Sequence, residues 1–184
     1  MPVKSDRWII EMAQERRMID PFAPEQVRRG ISFGVSSYGY DISLSNEFKK
    51  LKDGVSGEID PRADNSDLWE NVTADSLVIP PNSFVLARTR EYFRIPRDVI
   101  TICFGKSTYA RCGVVVNVTP FEPEWEGYAT ISISNTSPLP VRIHANQGIA
   151  QLLFLEASEL CLTSYGDKRG KYQAQKEITP SKSD

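Results

Sequence analysis

The chain has 184 residues, 40% apolar and 25% charged, which is the mixture of one folded domain over 1–184 and not of a disordered chain. Its 22 Lys and Arg face 24 Asp and Glu, and a net charge of -2 argues against a nucleic-acid polymer as partner while leaving room for a mononucleotide held by a few local charges. No apolar run approaches the roughly 20 residues of a membrane span and no signal-peptide core opens the chain, so no membrane association is expected. Cys103, Cys112 and Cys161 lack close pairing and read as free, buried thiols in a reducing compartment, most simply the cytoplasm.

Within an N-terminal helical region over residues 1–30, Ser5 is placed to cap a helix running to about Met18, with Trp8, Ile9, Met12 and Ala13 on one packing face. Pro21 and Pro24 stop it, and Gln26 to Arg29 suggests a further short turn. From Gly34 onward the texture is that of short strands: Tyr38–Leu44, Ser83–Arg90, Ile100–Phe104, Val114–Val118, Tyr128–Ser134, Val141–His144 and Ile149–Leu155. Prolines fall between or at the edges of these runs, where sheets tolerate them. Many short strands predict a mainly β barrel or jelly roll, with Asp53 to Asn71 as a polar surface excursion. Tyr165–Gln175 has no core periodicity and is either a frayed end or a C-terminal arm, spanning 165–184, that orders over a ligand or a neighbour.

Gly105-Lys106-Ser107-Thr108 looks like the end of a phosphate loop, but Ile100 stands where the Walker pattern needs its first glycine, so that motif is rejected. Lys106, Ser107, Thr108 and Arg111 still form a dense donor set, which is either a solvated loop or a binder of phosphate oxygens through charge-assisted hydrogen bonds. Zinc-dependent deamination needs His-x-Glu and Pro-Cys-x-x-Cys; His144 is followed by Ala145 and Asn146, and no Cys-x-x-Cys exists. His144 is read as a strand-end polar residue, and a histidine-based Ser or Cys triad lacks its partners.

The order and spacing of several segments closely resemble the dCTP deaminases of the dUTPase-like superfamily. They are Lys4-Ser5-Asp6-Arg7-Trp8-Ile9, Ser36-Ser37-Tyr38-Gly39-Tyr40-Asp41, Gly105 through Gly113, Val116 through Gly127, Asn135, Gly148-Ile149-Ala150-Gln151 and Tyr165 through Gln175. The resemblance implies a dUTPase-like distorted barrel with a short N-terminal helix and a C-terminal arm, assembled as a homotrimer with sites between subunits. It implies hydrolytic removal of the amino group of dCTP, with Mg2+ carried on the triphosphate and no zinc or other protein-held metal. By motif it assigns Lys106, Ser107, Thr108, Arg111, Gln151, Tyr165, Lys171 and Gln175 to the nucleotide site. Thr119, Thr130, Ile131 and Ser132 are further nucleotide-binding positions, Glu122 and Trp125 fall in the sugar-and-base hairpin, and Ser107, Arg111, Glu122 and Ser132 take the catalytic positions.

In Gly127-Tyr128-Ala129-Thr130-Ile131-Ser132-Ile133-Ser134-Asn135 the family pattern places a glutamate where this chain has Ser132. That glutamate is the family's expected proton shuttle at C4. Strand alternation puts Tyr128, Thr130, Ser132 and Ser134 on one face and Ala129, Ile131 and Ile133 on the other, so Ser132 keeps the polar face but not the base. Serine is a poor general base without a partner to take its proton, and losing such a base costs roughly 10²–10⁴-fold. The resemblance therefore allows three outcomes: an impaired dCTP deaminase, a nucleotide-binding or regulatory homologue without turnover, and a dUTPase-like pyrophosphohydrolase using Glu122. Glu124 and Glu126 are read as a solvated turn.

Overall fold

Ile9 and Ala13 recur on one face of helix α1 (Asp6–Arg16) and bury it against the sheet in the computed structural model, which describes residues 2–181. Met1 and the last three positions of the expected arm, 182–184, lie outside the described residues. The helix stops two residues short of Met18. Arg17 adopts a left-handed conformation with φ of 53° and turns the chain, so that Met18 drops into the core. Ser5 is the N-cap residue but makes no side-chain capping bond. Residues 26–29 are not a helical turn; Val27 bridges Phe33 in extended backbone instead.

The strands that follow are β1 (Ile19–Asp20), β2 (Gly34–Ser36), β3 (Gly39–Leu51), β4 (Trp69–Thr73), β5 (Ser76–Ile79), β6 (Ser83–Arg94) and β7 (Val99–Gly105). A short helix α2 (Ser107–Ala110) leads into β8 (Val114–Asn117), β9 (Glu126–Asn135), β10 (Val141–His144) and β11 (Gly148–Glu156). Antiparallel pairing runs β7-β11-β3-β6-β9-β8, with β1 on β6 and β2 and β4 on β3, while β5 and β10 form a separate pair. The sheet nearly closes: a Cβ on Gly105 of β7 would stand 3.3 Å from Val116 of β8. Barrel-like closure of this kind covers strand edges that would otherwise be open.

Core residues come from every side of this wall, with Tyr40, Ile42, Phe48, Phe93, Ile131, Leu152 and Phe154 essentially inaccessible. Trp8 lies across Phe154 with ring centroids 6.0 Å apart, which fastens α1 to β11. The expected excursion Asp53–Asn71 is shorter than its composition suggested, because Trp69 starts strand β4 and packs edge-on against Phe84. The three thiols are free, but Cys112 is exposed and Cys103 and Cys161 only partly covered, so the expectation that all three are buried is corrected. Cys112 follows directly on the donor segment at the surface, where its backbone N–H closes a turn on Tyr109.

Paired irregularities in β3 (between Leu44 and Phe48) and in β6 (between Arg88 and Tyr92) make room for a buried carboxylate, Glu91. Its oxygens accept the backbone N–H of Ser43 at 3.1 and 3.2 Å and the Ser43 hydroxyl at 2.7 Å. Burial outweighs these bonds and the nearby Arg90 charge, and pushes the Glu91 carboxyl up to about 7 from 4.5. A raised carboxyl favours folding below the unfolded value and loses that contribution as pH rises from about 4.5 through about 7. Glu91→Gln keeps the shape and removes the ionisation. Its melting temperature relative to the parent is expected to rise between pH 5 and pH 8, read by calorimetry across that range; parallel curves for the two proteins would contradict this assignment.

Candidate functional site

Strand β9 decides which side chains face the barrel and which face outward. Ala129, Ile131 and Ile133 are buried in strict alternation with the partly exposed Tyr128, Thr130, Ser132 and Ser134. In register, Ser132 stands opposite Leu86 of β6 and Asn117 of β8. The segment leaving β8 then doubles back over this polar face. Phe121 is locked to Thr101 by backbone N–H to hydroxyl at 2.8 Å, and its ring packs on Trp125 (4.7 Å) and Phe93 (5.3 Å). The turn at Glu122–Trp125 docks on the bend after β6: the Ile95 N–H donates to the Trp125 carbonyl and the Glu124 N–H to the Ile95 carbonyl, both at 3.0 Å.

The arm is ordered against that same hairpin. The Trp125 indole N–H donates to the Tyr172 carbonyl at 2.9 Å, and the Ala174 N–H to the Glu126 carbonyl at 3.0 Å. Gln175 runs beside Gly127 as a parallel bridge; its carbonyl accepts the Tyr128 N–H, and its amide donates to Thr130 Oγ1 (2.6 Å) and to the Tyr128 carbonyl (2.8 Å). Thr130 Oγ1 also accepts the Thr179 N–H at 3.1 Å. Between β9, the hairpin and the arm lies a cleft of about 760 Å³, of the size that holds small-molecule ligands.

Eight of the residues singled out from sequence line this cleft: Thr119, Glu122, Trp125, Thr130, Ser132, Tyr165, Lys171 and Gln175. Its wall is largely apolar, with Leu86, Ile100, Phe121 and Ala129 beneath a polar fringe. Glu122 is the one carboxylate on the wall among the described residues, and its Oε2 lies 3.3 Å from Lys168 Nζ at the rim. The sequence reading passed over Asn117, Phe121, Tyr172 and Thr179 as site residues; the first two could have been found from their place directly before and within the hairpin motif.

The remaining residues lie elsewhere. Ile131 faces the core, fully buried, so only its backbone is on the site's side of the strand. Ser107, Thr108 and Arg111 are exposed on and just after α2, beside the Val114 end of β8, whereas the cleft begins at Asn117. Three residues of strand, about 10 Å, separate the two ends. Lys106 reaches Asp41 at 2.5 Å in a mostly buried pair, and Gln26 donates to the same carboxylate oxygen. Gln151, opposite Asp41 on β11, donates to the Ser36 hydroxyl at 2.9 Å. One chain thus carries an apolar cleft and, beyond it, a surface cluster of phosphate-type donors.

Gly127 has φ of 145°, and a Cβ there would sit 2.9 Å from the Gln175 nitrogen, so the arm's closest approach depends on that glycine. Gly127→Ala is expected to raise tryptic cleavage after Lys171 and Lys176 by roughly tenfold while the barrel stays folded. An unchanged cleavage rate would show that the arm does not rest on this contact.

The dCTP deaminase-like family model matches residues 3–157. A dCTP deaminase of Acidithiobacillus ferrooxidans is 58% identical, the match covering 97% of this chain and 98% of that protein. One from Acidobacterium capsulatum is 60% identical, covering 97% of each. Among solved structures, the 2'-deoxycytidine 5'-triphosphate deaminase of Agrobacterium tumefaciens superposes with a TM-score of 0.66 at 15% identity, over 83% of this chain and 47% of that one, a likeness of fold. With cleft, donors and barrel as described, the chain belongs to the dCTP deaminase-like family.

Proposed function

We propose that this chain binds dCTP with its base and sugar in the cleft over β9, and that its reaction is hydrolytic deamination to dUTP and ammonia, slowed by Ser132. The observation that carries this reading is the apolar cleft walled by the Ser132 face of β9, the Phe121–Trp125 hairpin and the arm, in a chain 58% identical to a dCTP deaminase. Trp125 and Phe121 give the pyrimidine and deoxyribose apolar surface, Thr119, Thr130 and the hairpin backbone offer polar contacts, and Tyr165, Lys171 and Gln175 close the site from the arm. Lys106, Ser107, Thr108 and Arg111, with Gln151, bind the triphosphate of a nucleotide seated in a neighbouring copy. The exposed Phe104 and Val115 beside these donors support a subunit contact there, and a homotrimer is the proposed assembly.

Magnesium enters as part of the substrate. In this reading the ion is carried by the phosphate oxygens and water. The proposed place of work is the cytoplasm, as for a protein of the free deoxynucleotide pool.

Deamination adds water at C4 and expels the amino group as ammonia, so one proton must leave the water and one must reach the departing nitrogen. Ser132 can orient water but has no base beside it to relieve it of a proton, since the carboxylate of its own strand, Glu126, stands six residues away, about 20 Å along β9. Glu122 is engaged with Lys168 at the cleft rim. This favours a second reading, nucleotide binding without turnover, and gives no support to Glu122 as the base of a pyrophosphohydrolase. Ser107 and Arg111 are proposed as groups of a neighbouring copy that steady the reacting nucleotide.

Ammonia release and dCTP affinity should be measured together for the parent, Ser132→Glu and Arg111→Ala. The parent and Ser132→Glu are expected to bind alike, with deamination at least about 10²-fold faster in the glutamate form. Arg111→Ala is expected to bind weakly while remaining folded. A serine form already as fast as Ser132→Glu would contradict the assigned defect, and a parent that binds no dCTP would contradict the whole reading.

A further inference from the structure

Arg97 belongs to neither the cleft nor the donor cluster, yet it joins the segments that build the cleft. It lies in the bend between β6 and β7, the same bend on which the hairpin docks through Ile95. Its Nη1 donates to Glu124 Oε2 at 2.6 Å, in the hairpin turn, and its Nη2 to Asp167 Oδ2 at 2.9 Å, at the root of the arm. The same guanidinium reaches the Cys161 and Leu162 carbonyls at 3.4 Å, just before the arm begins. One planar fork therefore spans three stretches of chain.

Its partners are themselves constrained. Glu124 sits at φ of 61°, a left-handed conformation uncommon outside glycine, so its place in the turn needs support from its neighbours. Asp167 is half of a reciprocal pair: it accepts the N–H of the buried Ser164, while its own N–H donates to Ser164 Oγ. The Ser164 N–H first, and the Arg97 guanidinium next, hold the Asp167 carboxyl below the usual range. From this root the arm proceeds through Tyr165, whose N–H binds the Pro123 carbonyl and whose hydroxyl accepts the Tyr172 N–H. Gly170 leaves room for the Tyr165 ring, which a Cβ there would meet at 2.3 Å.

We infer that Arg97 is a positioning residue that couples the arm to the hairpin and so sets how tightly the cleft closes on its nucleotide. Isolated exposed ion pairs contribute little, and Arg97 is one-third exposed. Its leverage comes from place: it fixes the point where the arm leaves the barrel, so its loss lets Tyr165, Tyr172 and Gln175 depart together. The effect on affinity rests on the nucleotide reading above, whereas the effect on the arm does not.

Hydrogen exchange of the intact protein without nucleotide tests the clamp, and calorimetric titration with dCTP tests its consequence. In Arg97→Ala the amides of Tyr165, Tyr172, Ala174 and Thr179, and that of Tyr128, which the Gln175 carbonyl accepts, should exchange roughly tenfold faster, with those of β6, β7 and the rest of β9 unchanged, and dCTP should bind several-fold more weakly. Asp167→Asn should reproduce most of this, and Arg97→Ala added to Asp167→Asn should add little. Unchanged arm exchange, or an equal rise throughout β6 and β7, would overturn the inference and leave Arg97 a staple of its own bend. Faster arm exchange with undiminished dCTP affinity would overturn the positioning role. A parent protein that ignores dCTP would sink the nucleotide reading, and the affinity consequence with it, while the exchange data still decide the clamp.

Discussion

The register of β9 between β6 and β8 is the constraint on which the rest of the site depends. It places Ala129, Ile131 and Ile133 in the barrel and leaves Thr130 and Ser132 facing outward between Leu86 and Asn117. A slip of one residue would exchange these sets, burying hydroxyls without partners and exposing isoleucines. Core packing therefore fixes which side chains the cleft receives. The hairpin adds the roof because Phe121 packs its ring between those of Phe93 and Trp125, and the arm adds a wall because Gln175 pairs with the outer edge of β9 near Gly127.

This arrangement divides the chemistry of one chain between two regions. The cleft has shape and apolar surface, whereas Ser107, Thr108 and Arg111 stand exposed past the far end of β8. A triphosphate would find little positive charge on the cleft wall, where Lys171 is the one Lys or Arg among the described residues. In the proposed assembly a second copy would bring its α2 region to this cleft, and the contact would cover the exposed Phe104 and Val115. Ser132 lies on the outward face of β9 that lines this cleft. Binding and turnover are separable in such a site, since phosphate donors and stacking surfaces act without a proton acceptor.

Much of this was legible in the sequence because β alternation is a local signal. The 128–134 faces, the core role of Ile9 and the strand at Val141–His144 follow from period and turn residues alone. Strand β4 was hidden because Trp69–Thr73 is polar and largely exposed, held by backbone pairing to β3 and by the contact of Trp69 with Phe84 of β6. The fate of the arm was illegible in composition and periodicity, and an ordered arm was implied only by the family resemblance. Its order comes from backbone bonds at Tyr172, Ala174 and Gln175 and from the guanidinium of Arg97, none of which leaves a periodic trace. The separation of the Lys106–Arg111 donors from the cleft is a property of three dimensions; in sequence the two segments are neighbours.

We propose that one nucleotide is held by the cleft of one copy and the α2 donors of another. A crystal structure with dCTP and magnesium measures this directly. The pyrimidine is expected against Ser132 and Trp125 of one protomer, with the triphosphate bonded to Ser107, Thr108 and Arg111 of its neighbour. A nucleotide bound wholly within one chain, or one that leaves the cleft over β9 empty, would contradict it.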